Sequence, residues 1–267
     1  MKTLISVFVT AFLFILLVSP INQSLAAGGA TPPPKLSWSF KGPFGSFDRK
    51  QLKRGWQVYK EVCAGCHSLN QIYYRNLVDI GFSASQVKVI ASEDEIPAGP
   101  NDEGETHDEG GEVLVRPGKP FDKLKKPYPN ENAARVANNG ALPPDLSLTT
   151  KAHSTGVDYI AAVLTGYVDA PAGFNLGDGM YYNTYYSGNQ IAMPSPLAED
   201  AVEFADGTKA TVKQMALDVS TFLAWAAEPE MEERKRLGIK VMIFLIVLTA
   251  LLFALKRKIW ADIHQAP

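Results

Sequence analysis

The sequence predicts a mainly helical fold with long loops, followed by one membrane-spanning helix near the C-terminus. Three observations predict it. Apolar residues recur at helical spacing in several separate segments. Stretches rich in Gly, Pro and Tyr divide those segments, and the alternation that marks strands is scarce. A 19-residue apolar run, 237–255, is bounded by basic residues on both sides.

Taken in order, Met1-Lys2 opens onto an apolar stretch over 4–18, then Ser24-Leu25-Ala26-Ala27. A basic start, an apolar core and a small-residue site predict a signal peptide over 1–26, cleaved after Ala26. Residues 28–45 are rich in Gly and Pro and read as an extended lead-in. From Ser46-Phe47-Asp48 to Val62, the spacing of Leu52, Trp56, Tyr59 and Cys63 places them on one helical face. Residues 92–112 carry a run of Asp and Glu broken by Gly and Pro. Such a run reads as a solvated loop or as an electrostatic platform for a basic partner. A short helix is expected over 131–139, ended by Gly140 in a left-handed conformation. Leu142-Pro143-Pro144-Asp145-Leu146 follows as a rigid corner. Ser154 or Thr155 is expected to cap a helix carrying Val157, Ile160, Ala161 and Leu164. A Gly- and Tyr-rich loop spans 166–188, and 211–227 is amphipathic.

At 1.5 Å per residue, the run 237–255 is about 28 Å long, close to the thickness of the hydrocarbon core. Lys240 lies near its start and can snorkel, and Trp260 suits the far interface. Basic residues flank both ends, so the leader decides the orientation. An exported domain over 27–236 precedes a transmembrane helix over 237–255 and a cytoplasmic tail over 256–267. The net charge of −2 gives no basic excess of the kind nucleic-acid binding requires, so no nucleic-acid partner is expected.

The chemistry is concentrated in Cys63-Ala64-Gly65-Cys66-His67, a C-x-x-C-H sequence that holds both cysteines of the chain. A thioredoxin-like pair would need a βαβ context, and structural zinc would need four ligands. Neither is present in the sequence. C-x-x-C-H is the attachment signature of c-type haem: two thiols bond covalently to the cofactor, and His67 ligates the iron. One protein ligand with an open site suits gas binding or peroxide activation, whereas two suit electron transfer. The candidates for the second ligand are Met180, Met193, Met215, Met231, His107 and His153. Met215 is on an apolar stripe, Met231 lies beside the membrane run, and His107 is in the acidic segment. Met193, held in a stiff loop by Pro194 and Pro196, is preferred from residue chemistry. Met180 and His153 remain open at this point, as do an anchored haem peroxidase and a haem sensor.

Longer motifs carry a resemblance. VCAGCHSLNQIYYRNL, RPGKPFD, KPYPNENAARVANNGALPPDLSL, GMYYNTYYSGNQIAMPSPL and TFLAWAAEPEMEERKRLGIKVM resemble the cytochrome c1 family across most of 35–260. The resemblance implies a modified class I cytochrome c domain and one covalent haem c. It also implies the haem-c subunit of the cytochrome bc1 complex (ubiquinol–cytochrome c reductase), with electron transfer as its task and no catalysis on its own. The implied partners are cytochrome b, the Rieske iron–sulfur subunit and a soluble cytochrome c, in a homodimeric complex. The implied place is the bacterial inner membrane, with the haem domain on the periplasmic side. By position, the resemblance makes Cys63 and Cys66 the thioether cysteines, and His67 and Met193 the axial ligands. It places Asn138, Pro144 and Tyr159 at the haem pocket, with Arg75 a further candidate. One position departs from the pattern. Relatives tend to carry a basic run ending in Arg beside a haem propionate, and here the run reads Lys151-Ala152-His153. A His there would titrate near neutral pH, whereas Arg would not.

Overall fold

The computed structural model describes residues 30–261. The leader expected over 1–26 lies outside these residues, as does the end of the tail expected over 256–267. Among the described residues the chain is mainly helical. Seven α-helices run in the order α1 (Arg49–Val58), α2 (Ala84–Ser92), α3 (Glu131–Ala137), α4 (Thr149–Ala152), α5 (Val157–Thr165), α6 (Val212–Ala227) and α7 (Met231–Trp260). Four short strands form two antiparallel ribbons. β1 (Glu95–Pro97) pairs with β2 (Val115–Pro117), and β3 (Tyr181–Tyr182) pairs with β4 (Gln190–Ile191).

α1 starts where its sequence allows a cap. The Asp48 carboxylate accepts from the amides of Lys50 and Gln51, two of the donors a helix N-terminus leaves unpaired. The expected helical face is real: Leu52, Trp56 and Tyr59 are buried. It packs on α6, whose Met215, Val219, Phe222 and Ala226 are also buried. The Phe222 ring lies 5.8 Å from both Trp56 and Tyr59 and 5.5 Å from Trp225. Fully burying one such side chain contributes about 1.5–3 kcal/mol.

The α1–α6 approach is closer than apolar patterning implies. A Cβ placed on Gly55 would lie 2.1 Å from the Asp218 carbonyl oxygen, so only glycine lets the two backbones meet there. At the adjacent position, Arg54 donates to Asp218 through Nε at 2.7 Å and to Asp206 through a terminal nitrogen at 2.7 Å. Asp218 has no exposed surface and also accepts from Gln214. Leaving one partner of such a buried pair uncompensated costs about 3–5 kcal/mol.

The lead-in is a strap rather than a free extended arm. Asp158, at the start of α5, accepts from the Leu36 amide, the Trp38 indole and the Lys41 ammonium. Trp38, Phe40 and Phe47 are buried against the core.

Four elements differ in detail from expectation. The α5 cap is Gly156, at φ 59°, and not the hydroxyl of Ser154 or Thr155. A left-handed turn at that point favours glycine over either residue. α3 stops at Ala137, because both Asn139 and Gly140 adopt positive φ. α2 was not anticipated, although Ser83 and Gln86 form a reciprocal capping box at its start. α7 begins six residues before the apolar run. Met231 is buried in the domain, while every described residue from 236 onward is exposed. The helix is long and apolar enough to cross a membrane and fits a transmembrane anchor.

Candidate functional site

The C-x-x-C-H sequence is delivered by α1 through an irregular last turn. Tyr59–Cys63 is a π-helical turn, in which the Ala64 amide donates to the Tyr59 carbonyl at 2.8 Å. The amides of Cys66 and His67 both donate to the Cys63 carbonyl, at 3.1 and 2.9 Å. The widened turn followed by this tight one brings both sulfurs and the imidazole off the end of a single helix, and single π turns of this kind recur at functional sites. Cys63 is half-buried and Cys66 exposed. Burial pushes the Cys63 thiol up to about 12. A redox dithiol needs the opposite, a thiol shifted down toward its thiolate. Among the described residues no group of three or more His, Cys, Asp or Glu is placed to hold a metal ion.

His67 is oriented from a distant segment. Its Nδ1 lies 2.8 Å from the Pro144 carbonyl oxygen. A carbonyl can only accept, so Nδ1 carries the proton and Nε2 keeps its lone pair. Nε2 has no hydrogen-bond partner among the described residues. Burial lowers the His67 pKa against the upward pull of the Pro144 carbonyl and Asp145, which favours the neutral, ligating form. The Tyr59 hydroxyl donates to the His67 carbonyl at 3.1 Å.

The Pro144 carbonyl is held in turn by Asp145. One Asp145 oxygen accepts from the Ser68 hydroxyl and the Asn70 amide, both at 2.8 Å. The other accepts from the Ser147 amide at 2.9 Å. The Leu146 amide donates to the Ser68 carbonyl at 2.9 Å, and the Gln71 amide to the Ser147 hydroxyl. Residues 68–71 and 145–147 are thus clasped directly after the haem motif and directly after Pro144. Burial works upward on the Asp145 carboxyl, but the bonds from Ser147, Asn70 and Ser68 together hold it below its ordinary value.

Met193 follows the β3–β4 hairpin, which docks on the C-terminal end of α5. Asn183 is fully buried at the centre of that contact. Its amide donates to the Val163 carbonyl at 2.8 Å, and its oxygen accepts from the Tyr185 and Tyr186 amides. A Cβ on Gly166 would lie 2.5 Å from the Tyr185 ring, so the hairpin sits directly on the backbone there. The Tyr167 hydroxyl donates to the Met193 carbonyl at 3.0 Å. Met193 itself is half-buried.

The remaining candidates fall into separate small groups. Asn138 donates to the Tyr128 hydroxyl at 3.1 Å, and Tyr128 reaches the Cys66 sulfur at 3.9 Å. Tyr159 stacks on His153 with ring centroids 3.8 Å apart. Burial lowers the His153 pKa and raises that of Tyr159. Arg75 is exposed, with its guanidinium 4.5 Å from the centroid of the Tyr73 ring, and no hydrogen bond joins its side chain to the other candidates. Of the rejected ligands, Met215 is wholly buried in α6, and His107 is exposed and bonded to Thr106. Met231 is buried at the head of α7, six residues before the apolar run. Asp145, Tyr128, Tyr167 and Asn183 were not singled out from sequence. Asp145 alone had a visible signal, as an Asp before Leu and Ser at the end of a proline pair.

The donor set fits covalent haem c. Two thiols and a neutral imidazole with a free Nε2 lie at one helix end, and the imidazole is oriented by a backbone carbonyl.

Comparison with known proteins agrees with this chemistry. The model of the Cytochrome C1 family matches residues 38–263. Over 93% of its length the chain is 46% identical to the cytochrome b/c1 of Bradyrhizobium diazoefficiens, and it spans only 38% of that longer protein. It is 44% identical to the cytochrome c1 of Rhodospirillum rubrum, covering 90% of this chain and 94% of that one. It is 50% identical to a mitochondrial cytochrome c1 heme protein of Arabidopsis thaliana, covering 85% of this chain and 71% of that one.

The clasp predicts a specific acid dependence. Asp145→Asn should cost roughly 1.5–3 kcal/mol at pH 7, the range for hydrogen bonds to a charged group. The Asp145 carboxyl is held below 3.8, so its contribution is present above that pH and is lost as the pH falls further. Urea unfolding of the haem-loaded protein should therefore show a gap between wild type and variant at pH 7 that narrows below pH 3.8. A gap of the same size at both pH values would contradict the clasp.

Proposed function

The chain belongs to the cytochrome c1 family, and from that premise we propose that it relays single electrons from the Rieske iron–sulfur subunit to a soluble cytochrome c. On this reading it is the haem-c subunit of a cytochrome bc1 complex, seated beside cytochrome b in a homodimeric assembly. Its leader is removed, the domain over 27–236 faces the periplasm, and α7 holds it in the bacterial inner membrane. The observation that carries the reading is the 2.8 Å contact between His67 Nδ1 and the Pro144 carbonyl, next to two thiols.

Haem c, when bound, supplies a one-electron ferric–ferrous couple. The chain's own residues bind, orient and shield. Cys63 and Cys66 anchor covalently. His67 offers Nε2, and the Pro144 carbonyl makes that nitrogen more basic by accepting from Nδ1–H. Met193 would supply the second ligand from a hairpin pinned by Asn183 and Tyr167, and a thioether there would favour the reduced iron. Asn138, Pro144, Tyr159, Arg75 and His153 line the pocket. Held by both His67 and Met193, the iron would be closed to small molecules, which separates a relay from a peroxidase or a gas sensor. Quinol oxidation falls to the other subunits. The acidic segment 92–112 docks a basic soluble cytochrome. Its part beyond β1, residues 98–112, stands out as exposed turns stapled by Asn101 and Asp108 before the chain returns to pair as β2.

Met193→Leu should lower the midpoint potential by on the order of a few hundred millivolts, given that axial ligands span about 0.8 V. It should also open the iron to carbon monoxide. An unchanged potential and spectrum would move the ligand to Met180 or His153. Because His153 is held below the ordinary imidazole value of 6.5, it is neutral at pH 7 and gains its charge only in more acid solution. The potential should therefore be level above pH 7 and rise below pH 6.5, and His153→Gln should remove the rise. A wild-type potential that stays level down to pH 5 would contradict a His153 contact with the haem. Electron transfer to a basic soluble cytochrome c should slow as salt is added, since exposed charges are screened beyond about 10 Å at 0.1 M ionic strength. A rate independent of salt would remove the docking role of the acidic segment.

A further inference from the structure

Where the domain meets α7 there is a cleft of about 480 Å³ whose lining includes Phe44, Arg49, Glu232, Lys235, Arg236 and Ile239. Its charges are unbalanced. Arg49 is matched by Glu232 through two hydrogen bonds, at 3.1 and 2.7 Å. Lys235 donates only to neutral acceptors, the carbonyls of Phe40 and Gly45. Arg236 is exposed and has no ion-pair partner among the described residues. Three cations therefore share one carboxylate, Glu232, on which Arg236 acts only through space, and the cleft keeps a net positive charge. The other wall is apolar: Phe44 is 83% exposed, and Ile239 lies on the face of the anchor helix.

The depth of the cleft fixes the chemistry that could fill it. Arg236 directly precedes the apolar run 237–255, so it stands at the boundary between water and hydrocarbon. Ile239 lies about 4.5 Å further along the helix axis, inside the apolar layer. Cations at the boundary with an apolar wall beneath them are complementary to a phosphodiester with its acyl chain attached. We propose that this cleft holds one anionic phospholipid of the leaflet on the haem-domain side. Its phosphate lies against Lys235 and Arg236, and an acyl chain runs along Phe44 and Ile239. The bound lipid would brace the junction at which the domain's orientation to the membrane is set. This inference rests on α7 being a membrane anchor, and it is independent of the electron-relay reading.

The test uses the haem-loaded full chain in its native complex, reconstituted into phosphatidylcholine discs doped with phosphatidylglycerol. Lipid retained after detergent exchange is then counted by native mass spectrometry. Wild type should retain about one phosphatidylglycerol per chain, and Arg236→Gln about fivefold less, the loss expected for one basic residue at a membrane surface. Phe44→Ser should also lose lipid, with the haem spectrum of both variants unchanged. Inorganic phosphate should not displace the lipid. Equal retention by wild type and Arg236→Gln would overturn the proposal. So would displacement by inorganic phosphate, or photo-crosslinks from position 44 that reach only a neighbouring subunit. Release of the wild-type chain from membranes by alkaline carbonate would instead defeat the anchor reading itself.

Discussion

The site depends on one hydrogen bond between segments far apart in sequence: the Pro144 carbonyl accepts from His67 Nδ1. An imidazole can ligate through either nitrogen and can rotate about its side chain. Fixing one nitrogen as a donor to a backbone oxygen removes both freedoms at once. The carbonyl can do this only if its own segment is fixed, and the Asp145 carboxylate, with three donors around it, fixes that segment to residues 68–70. The proline pair before it stiffens the approach. The haem motif and its orienting partner are thus one local assembly closed by a single acidic side chain.

The rest of the domain holds that assembly in place. α1 carries the motif at its end, so any shift of α1 would move the thiols and the imidazole together. The backbone contact at Gly55 and the buried Arg54–Asp218 pair lock α1 to α6. α6 then leads through Pro229 into α7, so the haem motif and the membrane anchor are joined by two packed helices. Opposite them, the Met193 hairpin is fastened to α5 through Asn183, and α5 is tied to the N-terminal strap through Asp158. The two sides are fixed by different buried polar residues, each with all its strong acceptors paired. That arrangement suits the proposed relay, in which His67 and Met193 would be kept still while only an electron moves.

How much of this is legible in the sequence follows from the range of each interaction. Local signals read well. The stripe of Leu52, Trp56 and Tyr59, the amphipathic 211–227 segment and the apolar run all report i to i+4 or single-residue physics. The C-x-x-C-H motif is equally local. The π turn at Tyr59–Cys63 is not legible, because it arises where helical packing on α6 meets the tight turn of the motif. Gly156 takes the cap expected of Ser154 or Thr155 because the chain must reverse at positive φ before α5. Asp145 reads in sequence only as part of a rigid corner, since two of its three partners are 75 and 77 residues away. Gly55 and Asn183 were missed for the same reason: each matters only once a second element lies against it.

The central claim is that the Pro144 carbonyl holds the proton on His67 Nδ1. The most direct test is proton NMR of the diamagnetic ferrous, haem-loaded protein, observing the His67 Nδ1 proton. A bond to a carbonyl held in place by Asp145 predicts a resolved, slowly exchanging resonance with a cross-peak to the Pro144–Asp145 segment. A resonance lost to rapid exchange with water, or one with no contact to that segment, would contradict the account.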